Sequence, residues 1–330
     1  MDFCGQSPSR SEVAAFAKLT ADRKQWEPAL SKALDECLVS QHWLGIDGVV
    51  WSLASPKVRP IDSVKSGSKP GPVPLADYDF DYNLFVWINS GDRDVRDELL
   101  GQYYVKRVSD NPPSLRVMTE DELKALAFGT GQNVDAPKRV GLLTTRWFLT
   151  VNTMFTAIPR TTAAQAYRAY LGFDISKMEG LHPVDGQPAE FDRKGVTAPV
   201  CAACHSTLDP MTYPFTRYNG IFRNNFAPTR LNEFVKVDGP DVTKTPERGM
   251  ILGHEVADLL EWGKVAAGSE EFARNVARDY WKLLIGREPR GVDQREYNLL
   301  WRGLMNPSAH NYRVEKMLHA LILTDAYGAP

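Results

Sequence analysis

The chain has 330 residues, with 39 Lys and Arg against 41 Asp and Glu, so its formal net charge is −2. Hydrophobic residues make up 43% and charged residues 24%, which are globular values and exclude a chain that is disordered throughout. The balanced charge argues against attraction of the whole molecule to nucleic acid or anionic lipid. The longest apolar runs, such as residues 318–323, are far shorter than a membrane span. At about 150 residues per domain, the length predicts two domains or one large one.

The first part of the chain is predicted to be helical. Apolar residues recur at helical spacing over residues 11–21 and again over 26–38. The pattern then breaks, and the Gly, Pro and Ser content of residues 66–72 predicts a loop excursion near 44–81. We expect residues 1–180 to form a mainly helical N-terminal domain around this loop.

Helix signals return in the middle of the chain. Residues 92–104 have a helical pattern, and Thr119 with Glu122 forms a capping box that opens a short helix ending near Gly129. The segments 141–143 and 147–149 are apolar and predicted to be buried. A helix over 161–171 is predicted to stop at Gly172.

The second half alternates irregular segments with helices. Residues 181–200 are rich in Gly and Pro, a helical turn begins at Cys201, and irregular structure is expected to about Gly249. Four helices are predicted to close the chain, over 254–265, 269–285, 293–305 and 312–326. The predicted fold class is mainly α with long irregular loops.

One motif in this half of the chain is typical of cofactor binding. Residues 201–205 read Cys-Ala-Ala-Cys-His, the C-x-x-C-H pattern of c-type haem attachment. Cys201 and Cys204 lie one helical turn apart and can present their sulfurs to the two vinyl groups of a haem. His205 is then placed to be the proximal ligand of the iron. The sequence therefore predicts one covalently bound haem c.

A C-x-x-C pair also occurs in redox dithiols and in zinc sites. A zinc site needs further ligands. The chain has no second C-x-x-C pair, because its other two cysteines, Cys4 and Cys37, are far apart in sequence. A thioredoxin-like dithiol opens a helix in a βαβ context, which the sequence does not predict. Haem attachment is the favoured interpretation.

The segment 201–210, which continues the motif to Asp209-Pro210, resembles the haem segment of the planctomycete-type cytochrome c domain proteins. The stretches 93–100, 141–151, 283–287 and 323–327 are also similar to segments of that family. The chain departs from the family pattern at three positions, Thr212, Thr216 and Asn219, and is identified as a diverged member. The resemblance implies a large secreted or periplasmic bacterial protein, with residues 181–330 as a cytochrome c-like haem domain.

The sixth ligand of the iron stays open. Electron-transfer cytochromes commonly use Met, and Met250, in a loop-like stretch 45 positions after His205, is the favoured candidate. His254, Met154 and an open distal site are the alternatives. Met211 follows His205 too closely to reach the opposite haem face.

Other residues are assigned weaker roles. Tyr213 and Phe215 are simple core aromatics that we also expect to line the haem edge, and Arg223 is a candidate partner for a haem propionate. Cys4 and Cys37 could form a disulfide in an exported protein, or Cys37 could be a buried thiol.

The expected function is that of a monohaem c-type cytochrome that transfers electrons, more an electron carrier than a catalyst. We expect it to work with a redox partner protein that is membrane-associated or part of a multi-subunit complex. The alternative is a haem enzyme with an open, peroxidase-like distal site. Thioether attachment in bacteria takes place outside the cytoplasmic membrane, so we expect a periplasmic or other extracytoplasmic location and a leader or anchor encoded upstream of residue 1.

Overall fold

The computed structural model describes residues 3–19, 23–58, 79–125, 134–145, 148–149, 152, 158–177, 182–191, 194–218 and 245–328. Of these residues, 60% are helical and 7% lie in strands, which confirms the mainly α class. The α-helices of the described part are α1 (Arg10–Ala17), α2 (Arg23–Leu38), α3 (Gln41–Leu44), α4 (Val49–Val58), α5 (Asp79–Ile88), α6 (Asp97–Leu100), α7 (Glu120–Ala125), α8 (Arg160–Ala166), α9 (Pro199–Thr212), α10 (Leu259–Gly268), α11 (Glu270–Ile285), α12 (Gln294–Met305), α13 (Val314–Leu321) and α14 (Asp325–Gly328).

Two short antiparallel hairpins interrupt the helices. The strands are β1 (Val105–Asp110), β2 (Pro113–Val117), β3 (Gly249–Ile251) and β4 (His254–Val256). In the second hairpin, β3 pairs with β4 so that Ile251 lies opposite His254. A π-helical turn, Tyr167–Leu171, continues α8, and a 3-10 turn, Tyr213–Phe215, follows α9.

Local capping signals correctly placed several helix ends. The Ser269 side chain accepts a hydrogen bond from the first turn of α11, and Gly286 ends that helix in the left-handed region with φ of 76°. Gly172 ends the π-helical turn after α8 in the same way, with φ of 75°. Thr119 and Glu122 form the predicted capping box at the start of α7. The end predicted near Gly129 lies outside the described residues.

The loop excursion predicted near 44–81 is wrong for residues 49–58, which form helix α4. Val50, Trp51 and Ala54 recur at helical spacing and are buried, and their apolar face packs this segment against the rest of the protein. Residues 59–78, which contain most of the Gly and Pro, lie outside the described residues.

Two predicted helices are shorter than expected because part of each segment is extended and forms a strand or leads into one. Within 92–104 only α6 is α-helical, since Gly101 is extended and leads into strand β1. Within 254–265 the chain first forms β4, because Gly253, with φ of 80°, completes the hairpin turn. Helix α10 starts only after Asp258, whose side chain caps it.

One large cluster of buried apolar side chains forms the core of the described structure, with members from before and after residue 180. Trp262 on α10 donates an indole hydrogen bond of 3.0 Å to the hydroxyl of Tyr167, which joins the closing helices to the π-helical turn. Trp43, Phe85 and Trp281 are fully buried in the same cluster. The predicted division into domains 1–180 and 181–330 stays a prediction.

A disulfide joins the N-terminal segment to helix α2. It links Cys4 and Cys37, whose Cα atoms are 4.7 Å apart, within the usual range for a disulfide. Of the two alternatives left open by the sequence, the structure has the bridged one.

Candidate functional site

Helix α9 carries the C-x-x-C-H motif. The helix begins with Pro199, whose fixed φ and missing N–H suit a first helical position. Residues three and four apart lie on one helix face, so Cys201, Cys204 and His205 project toward the same side of α9. Both cysteines are partly exposed and neither forms a disulfide. The motif therefore places two partly exposed cysteines and one partly exposed imidazole on a single face of the helix.

His205 is oriented by a carboxylate one turn further along the same helix. Its Nδ1 lies 2.9 Å from Oδ1 of Asp209, whose side chain is completely buried, whereas the imidazole is 23% exposed. Arg160, at the start of α8, donates two hydrogen bonds of 2.7 Å to the carboxylate, one from Nε to Oδ1 and one from Nη2 to Oδ2. The three side chains form one hydrogen-bonded group, the Arg160–Asp209–His205 triad.

The chemistry of this triad fixes the tautomer of His205. An ionised carboxylate only accepts hydrogen bonds, and Asp209 is paired with the two N–H groups of Arg160. The proton in the His205–Asp209 contact is therefore on Nδ1, which donates it. In the neutral imidazole, Nε2 then keeps its lone pair available for an electrophile or a metal ion.

The C-terminal part of α9 packs into the protein. Thr207 and Met211 are buried there, and strand β3 approaches the end of the helix so closely that a Cβ on Gly249 would strike the carbonyl of Pro210. A Cβ on Gly249 would come within 2.6 Å of the Pro214 side chain, so only glycine allows this close approach. The hydroxyl of Tyr167 donates a hydrogen bond of 3.1 Å to the carbonyl of Met250, which fastens β3 to the core.

The two predicted haem-edge aromatics lie in the 3-10 turn after α9, and both are buried. The Tyr213 hydroxyl donates to Oε1 of Gln187 at 2.6 Å, and its ring meets Phe191 edge-on with centroids 6.0 Å apart. Phe215 packs edge-on against Trp262 with centroids 5.2 Å apart. Their burial agrees with the core role. Their contact with a haem stays a prediction.

The candidate sixth ligands lie in different environments. Met250 is in β3 and partly exposed, whereas His254 is exposed at the start of β4. Met211 is 2% exposed and belongs to the core cluster. Met154 and the predicted propionate partner Arg223 lie outside the described residues.

A segment before the motif runs beside α9. The backbone N–H of Val184 donates a hydrogen bond of 3.2 Å to the carbonyl of Ser206. A Cβ on Gly253 in the β3–β4 turn would lie 3.9 Å from Cε1 of the exposed His182. The segment around residues 182–187 therefore contacts the motif helix at Ser206 and approaches the turn of the second hairpin at Gly253.

Sequence reasoning missed Arg160 and the role of Asp209. The spacing of Asp209, four residues after His205, was a usable signal because side chains at that spacing meet on a helix. Arg160 is 49 positions away from Asp209 and carried no local signal.

Within the described ranges, no group of three or more His, Cys, Asp or Glu side chains is arranged to hold a metal ion by itself. No described helix combines the length and apolar character needed to cross a bilayer. Compared with known proteins, the chain matches no protein family, no curated protein and no solved structure.

Proposed function

We propose that the protein is a monohaem c-type cytochrome, with one haem c attached through thioethers at Cys201 and Cys204 and with His205 as an axial ligand of the iron. The supporting observation is that the two partly exposed cysteines share a helix face with an imidazole whose Nδ1 is engaged by Asp209. Metal-binding histidines commonly donate their second ring N–H to a carboxylate in this way. The residues present therefore fit the group that the motif implies.

The chain's own residues would hold and orient this group. The sulfurs of Cys201 and Cys204 would fix its position on α9, and the Nδ1–H donated to Asp209 fixes the plane of the His205 ring. Arg160 holds the carboxylate from the neighbouring helix α8. The bound haem supplies one-electron transfer at a potential set by its axial ligands and burial. Residues 181–330 would be the cytochrome c-like domain.

The protein would work with a redox partner protein or within a larger redox assembly, outside the cytoplasm of a bacterium. The Cys4–Cys37 disulfide supports this location, because disulfides form and persist in oxidising compartments. The role of residues 1–180 in this proposal is to bind that partner or to shield one face of the haem.

A haem enzyme with an open distal site is the second candidate, and one observation favours it. A carboxylate that accepts from the proximal imidazole raises the basicity of the ligand. In a bound haem this would stabilise the oxidised iron and would suit reaction with an oxidant. The two hydrogen bonds from Arg160 withdraw negative charge from Asp209 and so reduce this increase in the basicity of His205. The carrier function therefore remains the first proposal.

Access of small ligands to the iron tests the function. The protein is matured in a host with haem-attachment machinery, and its absorption spectrum is recorded with and without carbon monoxide or cyanide. A carrier with six ligands is low-spin, resists both ligands, and exchanges electrons reversibly with a small redox dye. A high-spin spectrum with ready binding of either ligand would replace the carrier by the enzyme. A protein that carries no haem would contradict both.

A further inference from the structure

Arg160 and Asp209 lie outside the C-x-x-C-H pattern, yet their salt bridge joins helices α8 and α9 behind His205. Asp209 is fully buried, and a buried carboxylate is costly unless it is paired. Its partners are two: Arg160, 21% exposed, and His205, 23% exposed. The carboxylate therefore lies behind the imidazole, and the guanidinium lies beyond the carboxylate.

We propose that Asp209 is a positioning residue for His205 and that Arg160 sets how strongly it acts, so that the two residues shift the reduction potential of the proposed haem in opposite directions. This inference rests on the proposed function. Asp209 fixes the Nδ1–H tautomer and gives the imidazole partial imidazolate character, which would strengthen its bond to oxidised iron. Arg160 withdraws part of that negative charge through its two hydrogen bonds.

The geometry distinguishes this role from simple packing. The guanidinium meets the carboxylate side-on with two parallel hydrogen bonds of 2.7 Å, an arrangement that lysine cannot reproduce. One oxygen, Oδ1 of Asp209, accepts from both Arg160 Nε and His205 Nδ1. A change at Arg160 is therefore transmitted to the imidazole through a shared atom.

The first experiment measures the midpoint potential of the haem protein and three variants. Asp209→Asn removes the charge behind the imidazole and should raise the potential. Arg160→Gln leaves the carboxylate more negative and should lower it. Arg168→Gln is the matched control, because Arg168 is an exposed arginine that continues from α8 and pairs with Asp174 at 3.6 Å, and it should leave the potential unchanged.

Two further variants keep the test decisive if Arg160→Gln fails to fold. The double variant Asp209→Asn/Arg160→Gln removes both charges together and should match Asp209→Asn, because Arg160 acts only through the carboxylate. Arg160→Lys keeps the charge but not the two parallel hydrogen bonds, and should lower the potential less than Arg160→Gln does. Shifts of equal sign for the two single variants, additive shifts in the double variant, or no shift in Asp209→Asn would overturn the inference.

The second experiment does not depend on haem. Long-range ¹H–¹⁵N correlation spectra of the diamagnetic protein, with ¹⁵N-labelled histidine, report which ring nitrogen of His205 carries the proton. We expect Nδ1–H in the wild type, with slow exchange with water, and faster exchange in Asp209→Asn. A proton on Nε2 alone would overturn the positioning role. A protein that lacks haem but shows Nδ1–H at His205 would refute the proposed function and leave the triad intact.

Discussion

Replacement of Lys57 by Met removes a buried cation that lies between two carboxylates, those of Glu98 and Asp279. Lys57 on α4 is 3% exposed, and its ammonium lies 2.9 Å from Asp279 on α11 and 3.6 Å from Glu98 on α6. It also donates a hydrogen bond of 2.9 Å to the carbonyl of Ala169. Met has a similar volume and no charge, so the substitution isolates the electrostatic contribution.

The size of the loss in stability depends on which interactions Glu98 and Asp279 retain in Lys57→Met. Removing one partner of a buried ion pair costs about 3–5 kcal/mol, because a buried charge loses its compensation. Asp279 is 26% exposed and regains water, whereas Glu98 is 1% exposed and keeps the hydrogen bond from Asn89. The Ala169 carbonyl keeps a second donor, the side chain of Asn275. We therefore expect a loss of about 3 kcal/mol, at the lower end of that range.

Urea denaturation followed by far-UV circular dichroism measures this loss. The matched control is Lys32→Met on α2, where the lysine is 80% exposed and lies 4.0 Å from Glu36. An exposed pair of this kind contributes less than about 0.5 kcal/mol. A cost for Lys57→Met no larger than that of the control would refute the electrostatic reasoning.

The cost should also depend on pH. Burial raises the pKa of Glu98, and the positive charge of Lys57 opposes that rise. In the variant the opposition is lost, so the folded-state pKa of Glu98 rises further above its unfolded value. Folded protein then binds a proton that unfolded protein lacks, and stability falls as pH rises through this window. Lys57→Met should therefore cost less at about pH 5 than at about pH 8.

Three other substitutions test separate parts of the structure. Cys4→Ser with Cys37→Ser opens a bridge across a sequence separation of 33 and should cost about 3–4 kcal/mol in urea denaturation; an unchanged midpoint contradicts this. Gly141→Ala should lower the thermal midpoint of unfolding, because Gly141 has φ of 46° and a Cβ there would strike the backbone of α6. The control Gly268→Ala should leave the midpoint unchanged, because a Cβ on Gly268 would meet open space. Met250→Ala should abolish the methionine-to-iron charge-transfer band and lower the reduction potential if Met250 is the sixth ligand; an unchanged spectrum assigns the ligand elsewhere.

The parts of the fold that the sequence predicted correctly are those with local causes. Helix α11 has a capping serine, Ser269, a stop at Gly286 and an apolar stripe between them, so a short window contains all its determinants. The segment 92–104 failed because its backbone bonds to distant parts of the chain. There the N–H of Val95 donates to the carbonyl of Tyr312, more than 200 positions away.

The candidate site divides in the same way. The C-x-x-C-H pattern places Cys201, Cys204 and His205 on one helix face, because helical spacing alone determines that face. The salt bridge between Arg160 and Asp209 depends on how α8 packs against α9, which no local pattern specifies. The pairing of Asp209 with Arg160 therefore depends on long-range packing, whereas the shared face of Cys201, Cys204 and His205 can be predicted from the sequence.

The most direct test of the central claim is the intact mass of the chain after maturation in a host with haem-attachment machinery. We expect a mass increase of one haem that survives denaturation, and a pyridine haemochrome spectrum typical of two thioether bonds. Cys201→Ala with Cys204→Ala should lose this mass, whereas the matched change of the bridged pair, Cys4→Ser with Cys37→Ser, should retain it. A wild-type chain with the bare polypeptide mass would contradict the assignment of residues 201–205 as a haem-attachment site.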